Sequence, residues 1–298
     1  MTQAQKKKYA IGLDIGGTKI EAAIVSSVGE VSHTIRIPTP LDPRILKEAL
    51  CQITDDLRKL HDIVGVGLSI PGSLDPQSGI LRNAPNSPSI NNTDFFTQLK
   101  KNFPLDIKIE NDANCLVIGE YLFGAARGLD HAVGLIMGTG FGSGVIARKQ
   151  LITGSQGLAP EWGHTVIKYD GRTCHCGKRG CVETYLSGTA ILTRYHSAGG
   201  SEDIKTTQDV FRTRAKDKVA SKVIEETMRL FAVVIGNIVS AYDPQIIVLG
   251  GGLSLQPIYY KQQELIQKQI FGSQKTPLIK PAMFGDASGK IGAAALFF

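Results

Sequence analysis

The chain has 298 residues, 42% of them hydrophobic and 20% charged, with a formal net charge of +6. That length suits two domains better than one core, and the composition is that of an ordinary globular protein. The charge is mild: it suits an anionic ligand and is too diffuse to argue for nucleic acid. No apolar run is long enough to span a bilayer, and the polar, lysine-rich start carries no secretory signal, so the default location is cytoplasmic, with no membrane partner. The densest basic run, Lys6-Lys7-Lys8, reads as a solvated tail.

In chain order, Tyr9 to Leu13 is an apolar strand running into Asp14 and a glycine turn. Ile20 to Ser26 is a second strand, and Val31 to Ile37 alternates as a third. From Arg44 to Leu60, apolar residues recur at helical spacing. Val64 to Ser69 is a buried strand ending at Pro71-Gly72. Ile107 to Ile109 is a strand leading to Glu110-Asn111-Asp112, with a helix from about Ala113. The order then restarts. Ala132 to Met137 is a strand, Gly138 to Gly144 a glycine-rich turn, and Val145 to Arg148 the returning strand. Lys222 to Ser240 reads as a long helix, Ile246 to Leu249 as a strand feeding Gly250-Gly251-Gly252, and Gly289 to Phe298 as a final helix. A hairpin with a glycine turn in each half predicts two related α/β domains facing a cleft, with ligands beyond the carboxyl ends of the strands.

The first loop, Asp14-Ile15-Gly16-Gly17-Thr18-Lys19, offers glycines that let backbone N–H groups approach phosphate and tolerate positive φ. Thr18 adds a hydroxyl and Lys19 a charge. Asp14 repels phosphate, so its natural partner is a magnesium ion or its water shell. Gly12 to Lys19 is not a Walker A loop, because Thr18 and Lys19 stand in the wrong order and no helix follows. The second loop, Gly138-Thr139-Gly140-Phe141-Gly142, again follows a strand and again combines glycine with threonine. Gly142 to Ala147 matches a dinucleotide pattern only formally, since it falls on a strand. The two loops together read as jaws on a polyphosphate, with Gly251 and Gly252 as a wall against the nucleoside.

Asp112 stands at a strand end between those loops. Phosphoryl transfer to an alcohol needs a base and a group that holds the hydroxyl in line, and Asp112 with Asn111 can serve. The competing reading is a helix cap. Further on, His164, Cys174, Cys176 and Cys181 form H-x9-C-x-C-x4-C, the ligand set of a closed structural zinc site. In a reducing compartment such a cluster points to metal rather than disulfide. Glu161 and Glu183 bracket it; with His164 they can accept hydrogen bonds from a polyhydroxylated substrate.

These motifs together resemble the ROK family (repressors, open reading frames and kinases) of bacterial sugar kinases. They are the first loop, Glu110-Asn111-Asp112-Ala113-Asn114, the second loop, Glu161-Trp162-Gly163-His164 and Cys174-His175-Cys176-Gly177-Lys178-Arg179-Gly180-Cys181-Val182-Glu183, so the resemblance runs nearly end to end. It implies a two-domain actin-like (ribonuclease H-like) ATPase fold with an interdomain cleft. We place the small domain at 1–116 plus 288–298 and the larger, zinc-bearing one at 117–287. It implies Mg-ATP as phosphoryl donor, a sugar as acceptor, and a homodimer. It implies Asp112 as the base on the sugar's 6-hydroxyl. Gly72, Asn111, Glu161, His164 and Glu183 become sugar contacts, with His164 also on the zinc. Pro71-Gly72-Ser73-Leu74-Asp75-Pro76 and Phe284-Gly285-Asp286-Ala287-Ser288-Gly289 look most like the fructokinase or mannokinase branch. Asn86-Ser87-Pro88-Ser89 lacks a tryptophan that many glucose and fructose kinases carry, which keeps an N-acetylglucosamine or N-acetylmannosamine kinase open. A ROK repressor is the second expectation, against which stands the 13-residue stretch before Asp14, too short for a helix-turn-helix domain. An actin-like ATPase without a sugar substrate is the third.

Overall fold

The structure, a computed structural model, describes residues 7–84 and 86–298. Lys6 of the basic run lies outside the described residues. The chain divides into two compact units. The first holds the residues through Gly128, Leu151–Pro160 and Met283–Phe298; the second holds Leu129–Gln150 and Glu161–Ala282.

The first unit is built on β1 (Tyr9–Ile15), β2 (Lys19–Ser26), β3 (Val31–Pro38), β4 (Ile63–Ile70) and, after the short ribbon β5 (Ser73–Leu74) and β6 (Leu81–Arg82), β7 (Ile107–Asn111). The sheet order is β3-β2-β1-β4-β7. β1 and β2 form an antiparallel hairpin, while β4 and β7 run parallel to β1. β1 is apolar along nearly its whole length because both faces are covered. One face meets helix α1 (Pro43–Leu57), whose Leu46, Leu50, Ile53 and Leu57 pack with Ile11, Leu13, Leu68 and Phe96 of helix α2 (Phe95–Lys101). The other face meets the C-terminal helix Ser288–Ala295, through Ala10, Val25, Ile291 and Ala294. That helix lies directly on the strand backbones: a Cβ at Gly12 would stand 1.8 Å from the Lys290 carbonyl oxygen, and one at Gly67 1.8 Å from that of Ala293. Helix α3 (Asp112–Leu122) packs beside it.

The second unit repeats the scheme. β8 (Ala132–Met137) and β9 (Phe141–Ala147) form the hairpin, and β10 (Gln150–Leu151), β11 (Ile246–Gly250) and β12 (Leu278–Pro281) complete a sheet of order β10-β9-β8-β11-β12, with β11 parallel to β8. The glycine turn is shorter than the composition suggests: pairing resumes at Met137 and Phe141, so only Gly138, Thr139 and Gly140 turn. Its helices are α4 (Glu183–Leu186), α5 (Gly188–Ser197), α6 (Thr207–Thr213), α7 (Lys218–Tyr242) and α8 (Gln263–Gln267). α7 starts where Asp217 accepts the Val219 and Ala220 N–H groups, four residues before its apolar periodicity becomes clear. Among the described residues no helix is long and apolar enough to cross a membrane.

Candidate active site

In the first unit the strand register places four polar residues in one row across the sheet. Glu21 of β2 pairs with Asp14 of β1, Asp14 with Ser69 of β4, and Ser69 with Glu110 of β7. Ser69 is fully buried and donates its hydroxyl to Asp14 Oδ1 at 2.7 Å. The Asp14 carboxylate also lies against Gly289 in the first turn of the C-terminal helix, where a Cβ would sit 2.4 Å from Asp14 Cγ. Burial raises the Asp14 carboxyl above its ordinary value, and the Ser69 hydroxyl works against that rise.

β7 ends at Asn111, and α3 begins at Asp112. The cap of this helix is Asn111, not Asp112: Asn111 Oδ1 accepts the Ala113 N–H at 2.9 Å and the Asn114 N–H at 3.4 Å. Its Nδ2 donates to the Gly72 carbonyl at 2.9 Å. Gly72 has φ +76°, and a Cβ there would meet the Arg82 carbonyl oxygen at 2.2 Å. With Asn111 as the cap, Asp112 keeps a half-buried carboxylate that accepts the Ala113 N–H at 2.8 Å. Burial first, and the charge of Asp14 second, push its pKa up to about 6.

The first glycine turn closes through Gly16 N–H to the Lys19 carbonyl, 2.9 Å. Neither Gly16 nor Gly17 has positive φ. The need for glycine at 17 is close approach, since a Cβ would stand 2.7 Å from the Asn86 carbonyl oxygen. Thr18 is exposed at the tip. Lys19 Nζ is held by Glu21 at 3.0 Å, so its charge is paired within the hairpin. Lys290, a buried lysine of the C-terminal helix, stands 3.8 Å from the same Glu21 carboxylate.

In the second unit, Gly138 N–H donates to Gly140 O at 3.1 Å, and the Gly138 carbonyl accepts the Gly188 N–H at 2.7 Å, which seats the turn on the start of α5. Thr139 is exposed at this tip, as Thr18 is at the first; Gly142 lies in β9. Gly251, after β11, has the one positive φ among the loop glycines predicted to face nucleotide, +76°, and a Cβ there would meet the Met137 carbonyl oxygen at 2.6 Å. Gly252 opens a short 3-10 turn.

His164, Cys174, Cys176 and Cys181 bring their ligand atoms within 4.8 Å of one another. His164 Nδ1 is 3.6 Å from Cys174 Sγ, and Cys176 Sγ is 3.6 Å from Cys181 Sγ. Tetrahedral zinc with Zn–S bonds of about 2.3 Å sets ligand–ligand edges of about 3.8 Å, so the set fits the ion. Gly177 (φ +88°) and Gly180 (φ +76°) make the turns that fold the three cysteines together. His164 closes the 3-10 turn Trp162–His164, and its N–H donates to the carbonyl of exposed Glu161 at 3.0 Å. Burial lowers the His164 pKa, which favours the neutral ring. Glu183 joins the cysteine loop to the glycine turn: Oε1 is 2.9 Å from His175 Nε2, and Oε2 accepts the Phe141 N–H at 3.1 Å.

The ROK family model matches residues 10–298. The chain belongs to the ROK family. An N-acetyl-D-glucosamine kinase of Pasteurella multocida is 36% identical over 96% of this chain and 98% of that protein. A glucokinase of Thermotoga maritima is 31% identical over 97% of both. A ROK family glucokinase from Streptomyces griseus, solved with glucose and AMPPNP, superposes with a TM-score of 0.79 at 29% identity, covering 97% of this chain and 98% of that one. The two α/β units therefore have the actin-like ATPase fold of ROK sugar kinases.

Three groups of this ROK chain escape a reading of motifs. Ser69 is a lone polar residue in the apolar run Val64–Ile70, and only the β1–β4 register shows that it faces Asp14. His175 sits inside the cysteine cluster yet partners Glu183. Glu120 is fully buried in α3; its Oε1 accepts Met283 N–H at 2.8 Å and Phe284 N–H at 3.3 Å, and its Oε2 accepts Ala125 N–H at 2.8 Å. Its only sequence signal is a carboxylate in an otherwise apolar stretch, Leu116 to Leu122.

Proposed function

We propose that this protein is an ATP-dependent sugar kinase that phosphorylates the 6-hydroxyl of a hexose or an N-acetylhexosamine. The observation that carries the reading is Asp112: a carboxylate at a strand terminus, freed from capping by Asn111, with a pKa of about 6. Such a group is ionised at neutral pH and basic enough to take a proton from an alcohol as the alcohol oxygen attacks the γ-phosphorus. As that P–O bond forms, the bond to the bridging oxygen of ADP breaks and the hydroxyl proton passes to Asp112.

Asn111 is assigned to a neighbouring hydroxyl. Its cap bonds and the Gly72 carbonyl fix its rotamer beside Asp112. Glu161, His164 and Glu183 are assigned to the remaining hydroxyls. A zinc ion held by His164, Cys174, Cys176 and Cys181 would fix the His164 ring and leave its other nitrogen for a substrate hydroxyl. The glycine turns around Thr18 and Thr139, with Lys19, Gly251 and Gly252, are assigned to ATP. Lys19 reaches phosphate in this reading by exchanging its bond to Glu21. The Asp14 carboxylate offers the hard oxygens that magnesium takes, and the ion would neutralise the charge of the transferred group. We assign the Asp14 oxygen not held by Ser69 to the ion or its water. A cytoplasmic homodimer is part of the same proposal.

The relatives support this reading by name: an N-acetyl-D-glucosamine kinase, a glucokinase, and a glucokinase that binds glucose with AMPPNP. Phosphorus and proton NMR of the product test the regiochemistry. The proposal expects phosphate on carbon 6; phosphate on the anomeric carbon, or ATP hydrolysis without sugar phosphate, would contradict it.

A further inference from the structure

The first unit contains a cavity of about 180 Å³ beside Asn111. At about 30 Å³ per liquid water it has the room of about six waters. Its wall is made of two kinds of group. Ile70, Leu74, Pro76 and Ile109 give it an aliphatic side, and Glu110, Asn111 and Thr153 supply the polar atoms.

Thr153 comes from a segment with a defined shape. Ala159 N–H donates to the Thr153 carbonyl at 3.0 Å, closing a loop that turns through Gly154 (φ +71°) and Gly157 (φ +69°). Gly157 is seated against Leu74: a Cβ there would lie 2.7 Å from the Leu74 carbonyl oxygen. The loop therefore packs closely on the wall it completes, and it runs directly into Pro160 and Glu161. On the opposite wall, Glu110 Oε1 already accepts the Asn111 N–H at 2.8 Å and Asn114 Nδ2 at 2.9 Å. Its second oxygen remains for a ligand.

A plain hexose presents hydroxyls in every direction. Hydroxyls pressed on four aliphatic side chains lose water without gaining a partner. A small amide with a methyl group matches the wall instead, because its methyl covers the aliphatic side and its N–H and C=O meet an acceptor and a hydroxyl. We infer that this cavity holds the acetamido substituent of an N-acetylhexosamine, with the methyl against Leu74 and Ile70, the amide N–H on Glu110 and the carbonyl on Thr153. The inference rests on the kinase reading above and narrows its acceptor from any hexose to an N-acetylated one.

One buried methyl and one satisfied amide are together worth roughly 10- to 30-fold. The test compares kcat/KM for glucose, N-acetylglucosamine and N-butanoylglucosamine on the wild-type protein, then on Thr153→Phe and Leu74→Phe, which narrow the cavity from two different elements. We expect N-acetylglucosamine to exceed glucose at least tenfold, the butanoyl compound to fall below the acetyl one, and either variant to shrink the acetyl-to-glucose ratio at least tenfold. Because the wild-type series needs no mutation, it decides even where a variant fails to fold. Preference for glucose, or a ratio that neither folded variant moves, overturns the cavity assignment and leaves the kinase reading standing. Turnover of no sugar at all overturns the kinase reading itself.

Discussion

Ser69 Oγ donates to Asp14 Oδ1 at 2.7 Å from a neighbouring parallel strand, and the two residues are paired in register. A buried carboxylate is costly to ionise, and one charge-dipole bond offsets part of that cost. Burial first, and repulsion from Asp14 second, raise the pKa of Asp112. Asp14, hydrogen-bonded by Ser69, and Asp112, made more basic, are the electrostatic core of the proposed reaction.

The first prediction is a pH profile. Asp112 works as a base only when ionised, so kcat/KM for the sugar should rise tenfold per pH unit at acid pH and level off above about pH 6. Initial rates between pH 5 and 8, at saturating Mg-ATP, check this. A flat profile across pH 5 to 7 would remove Asp112 from the role.

The second concerns stability. Asp112 has a higher pKa folded than its ordinary 3.8, so its ionised form opposes folding above about pH 6, and that cost fades as pH falls toward 4. A rise of about two units corresponds to about 3 kcal/mol, reduced here because the side chain is only half-buried, so about 1–3 kcal/mol. Asp112→Asn should therefore be more stable than wild type by that amount at pH 8, and the difference should narrow at pH 5. Urea unfolding at both pH values measures it; a variant less stable at pH 8 would contradict the electrostatic account.

Zinc is the third. Elemental analysis should give about one zinc per chain. Cys176→Ser should lose most of the metal and raise the sugar KM about 10- to 100-fold, with a much smaller effect on the ATP KM. A zinc-free protein with unaltered sugar KM would separate the cluster from the substrate.

Glu120 gives the fourth. Its carboxylate holds three backbone N–H groups at the junction of α3 with Met283 and Phe284, and it touches none of the residues assigned to chemistry. Glu120→Ala removes the acceptor of all three and empties a buried site, which should cost about 1–3 kcal/mol and show as a lower melting temperature. At a temperature where the variant is folded, its sugar KM should stay within a few-fold of wild type.

The order of the elements was readable because apolar runs and helical periods follow burial directly, as in β8, where the expected and observed spans coincide at Ala132–Met137. That His164, Cys174, Cys176 and Cys181 come together was readable because four such residues within 18 positions leave few other arrangements. The reasons for some residues were not. Gly17 needs no positive φ; it is glycine because Asn86, 69 positions later, presses on it. Asn111 and Asp112 each make a plausible cap in isolation, and only the folded geometry assigns the cap to Asn111. Ser69 and Glu120 act through partners 55 and 163 positions away, at separations that local pattern does not register.

The most direct measurement is sugar-dependent ADP release in a coupled assay, run over hexoses that include fructose and mannose and over N-acetylhexosamines, with wild type and Asp112→Asn side by side. The account predicts rapid release with at least one sugar, and a loss of roughly 10²- to 10⁴-fold in the variant, whose sugar affinity by calorimetry stays near wild type. Release that ignores every sugar, or a folded variant that turns over at the wild-type rate, would contradict it.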